Sequence, residues 1–142
     1  ISYIITVRNE YMEKFEVEFY ETEKGIQPAK EFLLSLNTKM RAKMVNTISL
    51  LQDNGYELRE PYSKHLSEGI FELRAKVGSD ITRTLYFFYI DRRIVLTNGF
   101  IKKTNKTPPR EIEKAKEFLE QNPDILAEVE TKVRERWTLY YL

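Results

Sequence analysis

The sequence predicts an α+β fold in which a helical hairpin packs on one face of a small, mostly antiparallel sheet. Three observations carry this reading: a short alternating run near Phe15, two helical-period segments joined by a very short link, and three consecutive β-rich runs joined by tight turns. Phe15, Val17 and Phe19 alternate with Glu16 and Glu18, the pattern of a half-buried strand. Gly25 and Pro28 punctuate the turn that follows. Pro28 suits the start of a helix whose Ala29, Phe32, Leu33 and Leu36 share a face. Asn37 or Thr38 caps a second helix with Met40, Met44, Val45, Ile48 and Leu51 facing inward, and Asn54-Gly55 ends it. Residues 56–68 read as a loop containing Pro61, with Lys64 and His65 near its end.

Ile70–Lys76 reads as a strand with Phe71 and Leu73 on one face and Glu72 and Arg74 on the other. After a Gly78-Ser79-Asp80 turn, Ile81–Ile90 is apolar on both faces, which predicts a central strand. Asp91-Arg92 makes a tight hairpin turn into a strand over Ile94–Ile101. Thr107, followed by Pro108-Pro109, opens a third helix with Ile112, Ala115 and Leu119 inward. Asn122-Pro123 breaks it, and Ile125, Val129 and Val133 mark a fourth that runs into the apolar Trp137–Leu142. The expected order is β-α-α-β-β-β-α-α. One domain is expected over 1–142: an N-terminal extension at 1–11, a core at 12–121 that starts at Met12, and a helical extension at 122–142.

With 142 residues, 42% hydrophobic and 32% charged, the chain can bury a core and does not have a disordered profile. The absence of Cys excludes disulfide scaffolds, thiolate metal sites and Cys nucleophiles, and a single His excludes a multi-His site within the chain. No metal or other cofactor is expected. Residues 1–11 lack the cationic and apolar regions of a signal peptide, and no apolar run approaches the roughly 20 residues that span a bilayer. A cytoplasmic protein with no membrane partner is the expectation. The overall net charge is only +1, but residues 59–110 carry 11 basic and 5 acidic side chains, a local +6. Such a middle could present one positive face to a polyanion, or its charges could scatter over a solvated surface.

Arg83 is the most informative residue. It stands in the central strand in phase with Leu85 and Phe87. A cation in that register is costly if buried alone. It therefore either pairs with a group such as Glu72 on the neighbouring strand or lines a wet face that binds an anion. Arg74, Lys102 and Lys103 leave the flanking strands, and Lys64 and His65 stand at the entrance to the sheet. Together they could form a groove for a phosphodiester backbone. Taken alone, a histidine such as His65 is more often an ordinary loop histidine than a catalytic one. Tyr86 and Phe88 could stack bases, but in a central strand core packing suits them better.

The segments SKHLSEGIFELRA and ITRTLYFFYIDRRIVLTNGFIKKTNKTPPREIEKA resemble the RelE/HigB superfamily of toxins from bacterial toxin–antitoxin modules, in its phage-derived, HigB-like branch. The carriers are the KHL…FELR stretch, the R-x-LYFF strand and the GF-x-KKT-x-KTP ending, within a resemblance that runs from about Phe15 to Leu119. It implies a RelE-like fold and a metal-independent endoribonuclease that cuts mRNA in the ribosomal A site, inhibits translation and arrests growth. It also implies neutralisation by a cognate antitoxin, usually of helix-turn-helix type, through which the complex binds its operator DNA.

The resemblance places the family's strand arginine on Arg83, a second basic position on Arg74, and the basic position after the last strand on Lys102 or Lys103. Lys64 and His65 fall where relatives carry basic or histidine residues. The implied roles are Arg83, Arg74, His65 and Lys103 in catalysis, with Lys64, Lys102 and Lys106 on RNA phosphates. Two departures stand out. Asn98 occupies a position where many of this branch have His, and the C-terminal tyrosine of RelE itself has no counterpart near Thr107. The same small fold also resembles ParE-type toxins, which bind DNA gyrase and cut no RNA. The KHL…ELR and KKT…KTP signatures favour the nuclease.

Overall fold

The computed structural model describes residues 14–102 and 106–141. Strand β1 covers Glu16–Phe19, helix α1 Pro28–Ser35 and helix α2 Thr38–Asn54, followed by a 3-10 turn at Gly55–Glu57. Strands β2 (Ser63–Ser67), β3 (Ile70–Val77), β4 (Asp80–Tyr89) and β5 (Arg93–Lys102) follow, then helices α3 (Pro109–Glu120) and α4 (Pro123–Tyr141). The sheet runs β1-β5-β4-β3-β2. β1 pairs parallel to β5, and the other three pairs are antiparallel. This α+β arrangement agrees with the expected class and is consistent with a RelE-like fold.

β4 is central because its side chains find apolar partners on both faces. Tyr86 and Phe88 point toward the α1–α2 hairpin and join Phe15, Leu36, Met40, Met44, Leu51, Leu73 and Ile94 in one core. Leu85 and Phe87 point the other way and meet Ile70, Val95, Ala115, Leu119 and Val129 in a second. α4 is part of that second core through Val129, Ile125 and Leu126. Tyr86 and Phe88 are thus buried core residues, at 1% and 4% exposure, and the base-stacking alternative does not apply to them here. Parallel β1 is held at the edge by a Glu18–Arg93 ion pair, whose hydrogen bond raises the Arg93 pKa further above its ordinary value.

Local signals act as expected at several boundaries. Asn37 caps α2 by accepting from the Met40 N–H at 2.9 Å. Gly55 stops α2 at φ +51°, and a Cβ there would overlap the Phe15 ring. Asp91 and Arg92 both take positive φ at the centre of the turn between β4 and β5, which the Arg93 N–H closes by donating to the Ile90 carbonyl at 3.2 Å.

Three expectations need correction. The loop expected over 56–68 contains β2, so Lys64 and His65 lie on a strand and the sheet has five strands rather than four. Its Ser-Lys-His-Leu-Ser sequence carries no apolar alternation, and pairing with β3 alone makes it a strand. Val45 is 44% exposed instead of buried, and Thr47 takes the inward position, its hydroxyl donating to the Lys43 carbonyl at 2.9 Å. Thr107 makes no cap: α3 starts after Pro108 without a side-chain cap, and the Thr107 hydroxyl is spent inside the sheet-facing network described next. The inward Val133 and the apolar Trp137–Leu142 concern side chains outside those described.

Candidate functional site

Partners across a ladder share a face of the sheet. The register pairs Lys64 with Glu72, Arg74 with Arg83, Glu72 with Leu85, and Lys76 and Lys102 with Ile81. Lys64, Arg74, Lys76 and Arg83 therefore belong to one face, the one covered further along by α3 and α4. The Lys102 side chain and the whole of Lys103 lie outside what is described. Lys106 is exposed on the approach to α3.

At the centre of this face is a buried ionic network. Glu72 is fully buried and Arg83 is 1% exposed. Arg83 Nη1 lies 3.0 Å from Glu72 Oε1 and donates to Thr107 Oγ1 at 3.2 Å. The Thr107 hydroxyl in turn donates to Glu72 Oε1 at 2.8 Å. Arg74 donates through Nε and Nη2 to Glu72 Oε2 at 3.2 and 3.1 Å, with 22% of its side chain exposed. One carboxylate thus holds two guanidinium groups, leaving a net positive charge. Of the two readings of Arg83, pairing with Glu72 is the one the geometry realises. Arg74, not Arg83, reaches the surface.

A second polar link fastens α3 to the sheet. Asn98 Nδ2 donates to the Glu111 carbonyl and to Glu111 Oε2 at 3.2 and 3.0 Å, and Lys114 lies 3.4 Å from Glu111 Oε1. Asn98 is therefore a tether rather than an exposed polar group, being 4% exposed.

The structure separates His65 from the arginines. His65 pairs with Phe71, packs edge-on against its ring at 5.0 Å, and accepts from the Gly69 N–H at 3.4 Å. Phe71 belongs to the hairpin-side core, so His65 stands on the face opposite Arg74. The expectation that His65 and the arginines line one groove is thus not met, because one step along a strand reverses the face. Among the described residues, no group of three or more His, Asp or Glu side chains could hold a metal ion.

Sequence reasoning overlooked Lys76, Thr107 and Glu111. Lys76 was legible, two positions past Arg74 and hence on its face. Glu111 was legible too: it sits four residues before Ala115 and eight before Leu119, on the stripe that faces the sheet. Nothing local signals the Thr107–Glu72 contact, which joins residues 35 apart.

The family model for phage-derived Gp49-like proteins (DUF891) matches residues 31–120. The chain belongs to that family. The matched part of this Gp49-like chain runs from within α1 to the end of α3 and holds the whole ionic network and every cation of its face. No curated protein matches the chain significantly. Among the described residues, no helix is long and apolar enough to cross a membrane.

Proposed function

We propose that this Gp49-like protein is the toxin of a toxin–antitoxin module and acts as a ribosome-dependent mRNA endoribonuclease in the cytoplasm. Its family is associated with such toxins. The observation that carries the reading is the strand register, which places Lys64, Arg74 and Lys76 on one face. Cations grouped on one face can neutralise several phosphates of one phosphodiester chain.

In this mechanism a ribose 2′-OH attacks the adjacent phosphorus, the 5′-oxygen of the next nucleotide leaves, and the products are a cyclic phosphate and a 5′-OH. The reaction takes no metal or cofactor from the protein. Its demands are alignment of the RNA and stabilisation of the crowded anionic phosphorane. Arg74 suits the second demand, because a guanidinium fork matches two phosphate oxygens. With His65 on the other face, proton transfer falls to Lys64, on the cationic side, or to Lys103, which lies outside the described residues. Lys102 and Lys106 hold flanking phosphates, and the ribosome presents the mRNA.

A free nuclease of this kind requires a neutralising partner, a cognate antitoxin of helix-turn-helix type that also carries the complex to its operator DNA. The hairpin offers it Leu34, Val45 and Leu50, exposed apolar side chains on α1 and α2.

The test is to add purified protein to translating ribosomes and map mRNA ends. Cuts within codons at the A site support the reading. Intact mRNA together with inhibited gyrase supercoiling would replace it with the ParE-type alternative.

A further inference from the structure

A site evolved only to attract phosphate has no use for a carboxylate, which repels it. Yet Glu72 lies at the middle of this cationic face and is fully buried. It accepts from groups on three separate parts of the fold: Arg74 on its own strand, Arg83 on β4 and Thr107 ahead of α3. Thr107 and Arg83 are also bonded to each other, so the carboxylate cannot turn without breaking several contacts. Both Arg74 bonds go to the single oxygen Oε2. They use its Nε and one terminal nitrogen, and among the described residues nothing takes the other, Nη1. The guanidinium is thus fixed along one edge, on a side chain that stays 22% exposed.

From this geometry we infer that Glu72 is a positioning residue. It holds Arg74 in one orientation, so that the other edge of Arg74 meets a phosphate oxygen, and Arg83 acts through Glu72 without touching RNA. The inference rests on the reading of this face as a phosphodiester site. Its physical basis is preorganisation: a long side chain already immobilised in the free protein does not lose its rotamer freedom on binding. Arg83 and Thr107 are the anchors of the carboxylate, and Arg74 is the residue that touches the ligand.

The experiment measures binding of the full chain to a fluorescently labelled, single-stranded oligoribonucleotide over a range of salt concentrations. Arg74→Lys keeps the charge but cannot grip Glu72 through two nitrogens of one fork. It should lose on the order of 3- to 10-fold in affinity while keeping the native slope of log K against log salt. Arg74→Ala should also lower that slope, by about 0.7. Glu72→Gln provides a test of sign. Removing a negative charge from a cationic face would tighten RNA binding if charge alone mattered, whereas loss of positioning weakens it.

Arg74→Lys binding within twofold of the native chain, or a folded Glu72→Gln that binds more tightly, would overturn the inference and leave the reading of the face intact. Should Glu72→Gln fail to fold by circular dichroism, the half-buried Arg74→Lys decides alone. A native chain that shows no salt-dependent RNA binding overturns both the reading of the face and the inference built on it.

Discussion

Replacing Arg83 with Met keeps a long side chain in the central strand and removes its charge. Glu72, at 0% exposure, then loses the 3.0 Å ion pair and cannot recruit water in its place. Breaking a buried pair by deleting one partner costs about 3–5 kcal/mol. Thr107 still donates to Oε1 and Arg74 to Oε2, so the lower end of that range, about 3 kcal/mol, applies here. Against a total stability of about 5–15 kcal/mol for a domain, this is a large fraction. It corresponds to a fall in Tm of about 10 °C.

The double variant Arg83→Met/Glu72→Leu removes both buried charges. Arg74 then turns to the solvent it already reaches, and stability should return to within about 1 kcal/mol of the native chain, since an apolar replacement of a buried pair is often neutral or better. Urea unfolding followed by far-ultraviolet circular dichroism measures all three single and double variants. If Arg83→Met alone cost less than about 1 kcal/mol, Arg83 would not be balancing Glu72, and its reading as a structural partner would be wrong. A non-additive recovery in the double variant is the signature of direct coupling.

Four further outcomes follow from specific contacts. A Cβ at Gly99 would overlap the Phe32 ring, so Gly99→Ala should displace α1 from β5 and cost about 1–3 kcal/mol in the same unfolding assay; a neutral result would contradict the close approach. The Thr82 hydroxyl is buried with no hydrogen-bond partner among the described residues, so Thr82→Val, nearly the same shape, should be neutral or stabilising by up to about 1 kcal/mol, and clear destabilisation would mean the hydroxyl is satisfied. Cleavage of ribosome-bound mRNA should survive EDTA in a control where ribosomal magnesium keeps the particles intact, and loss of chemistry restored only by a transition metal would refute the cofactor-free mechanism. An antitoxin docked on Leu34, Val45 and Leu50 should keep its affinity from low to high salt, whereas a steep salt-dependent loss, matched by Arg74→Ala, would put it on the cationic face instead.

The sequence by itself determined those features whose causes lie within a few residues. Alternation at Phe15, Val17 and Phe19 specifies β1, helical spacing with Pro28 and the Asn37 cap specifies the hairpin, and the polar Asp91-Arg92 pair between two apolar runs signals the turn into β5. The double-sided apolarity of β4 was enough to place it at the centre, because no edge or one-sided strand could bury both faces. Arg83 was legible as an anomaly for the same reason, and Glu72 as one possible partner.

Tertiary structure alone decided what that anomaly means. Arg83 is a buried partner because β3 brings Glu72 to the same face and the chain ahead of α3 returns Thr107 to both, a closure no local pattern encodes. β2 exists because β3 offers it a ladder, since its own side chains carry no alternation. That pairing, not the identity of the residue, sets His65 on the hairpin side and Lys64 with the arginines: neighbours in a strand point to opposite faces, so the register of one edge strand determines which residues can act together.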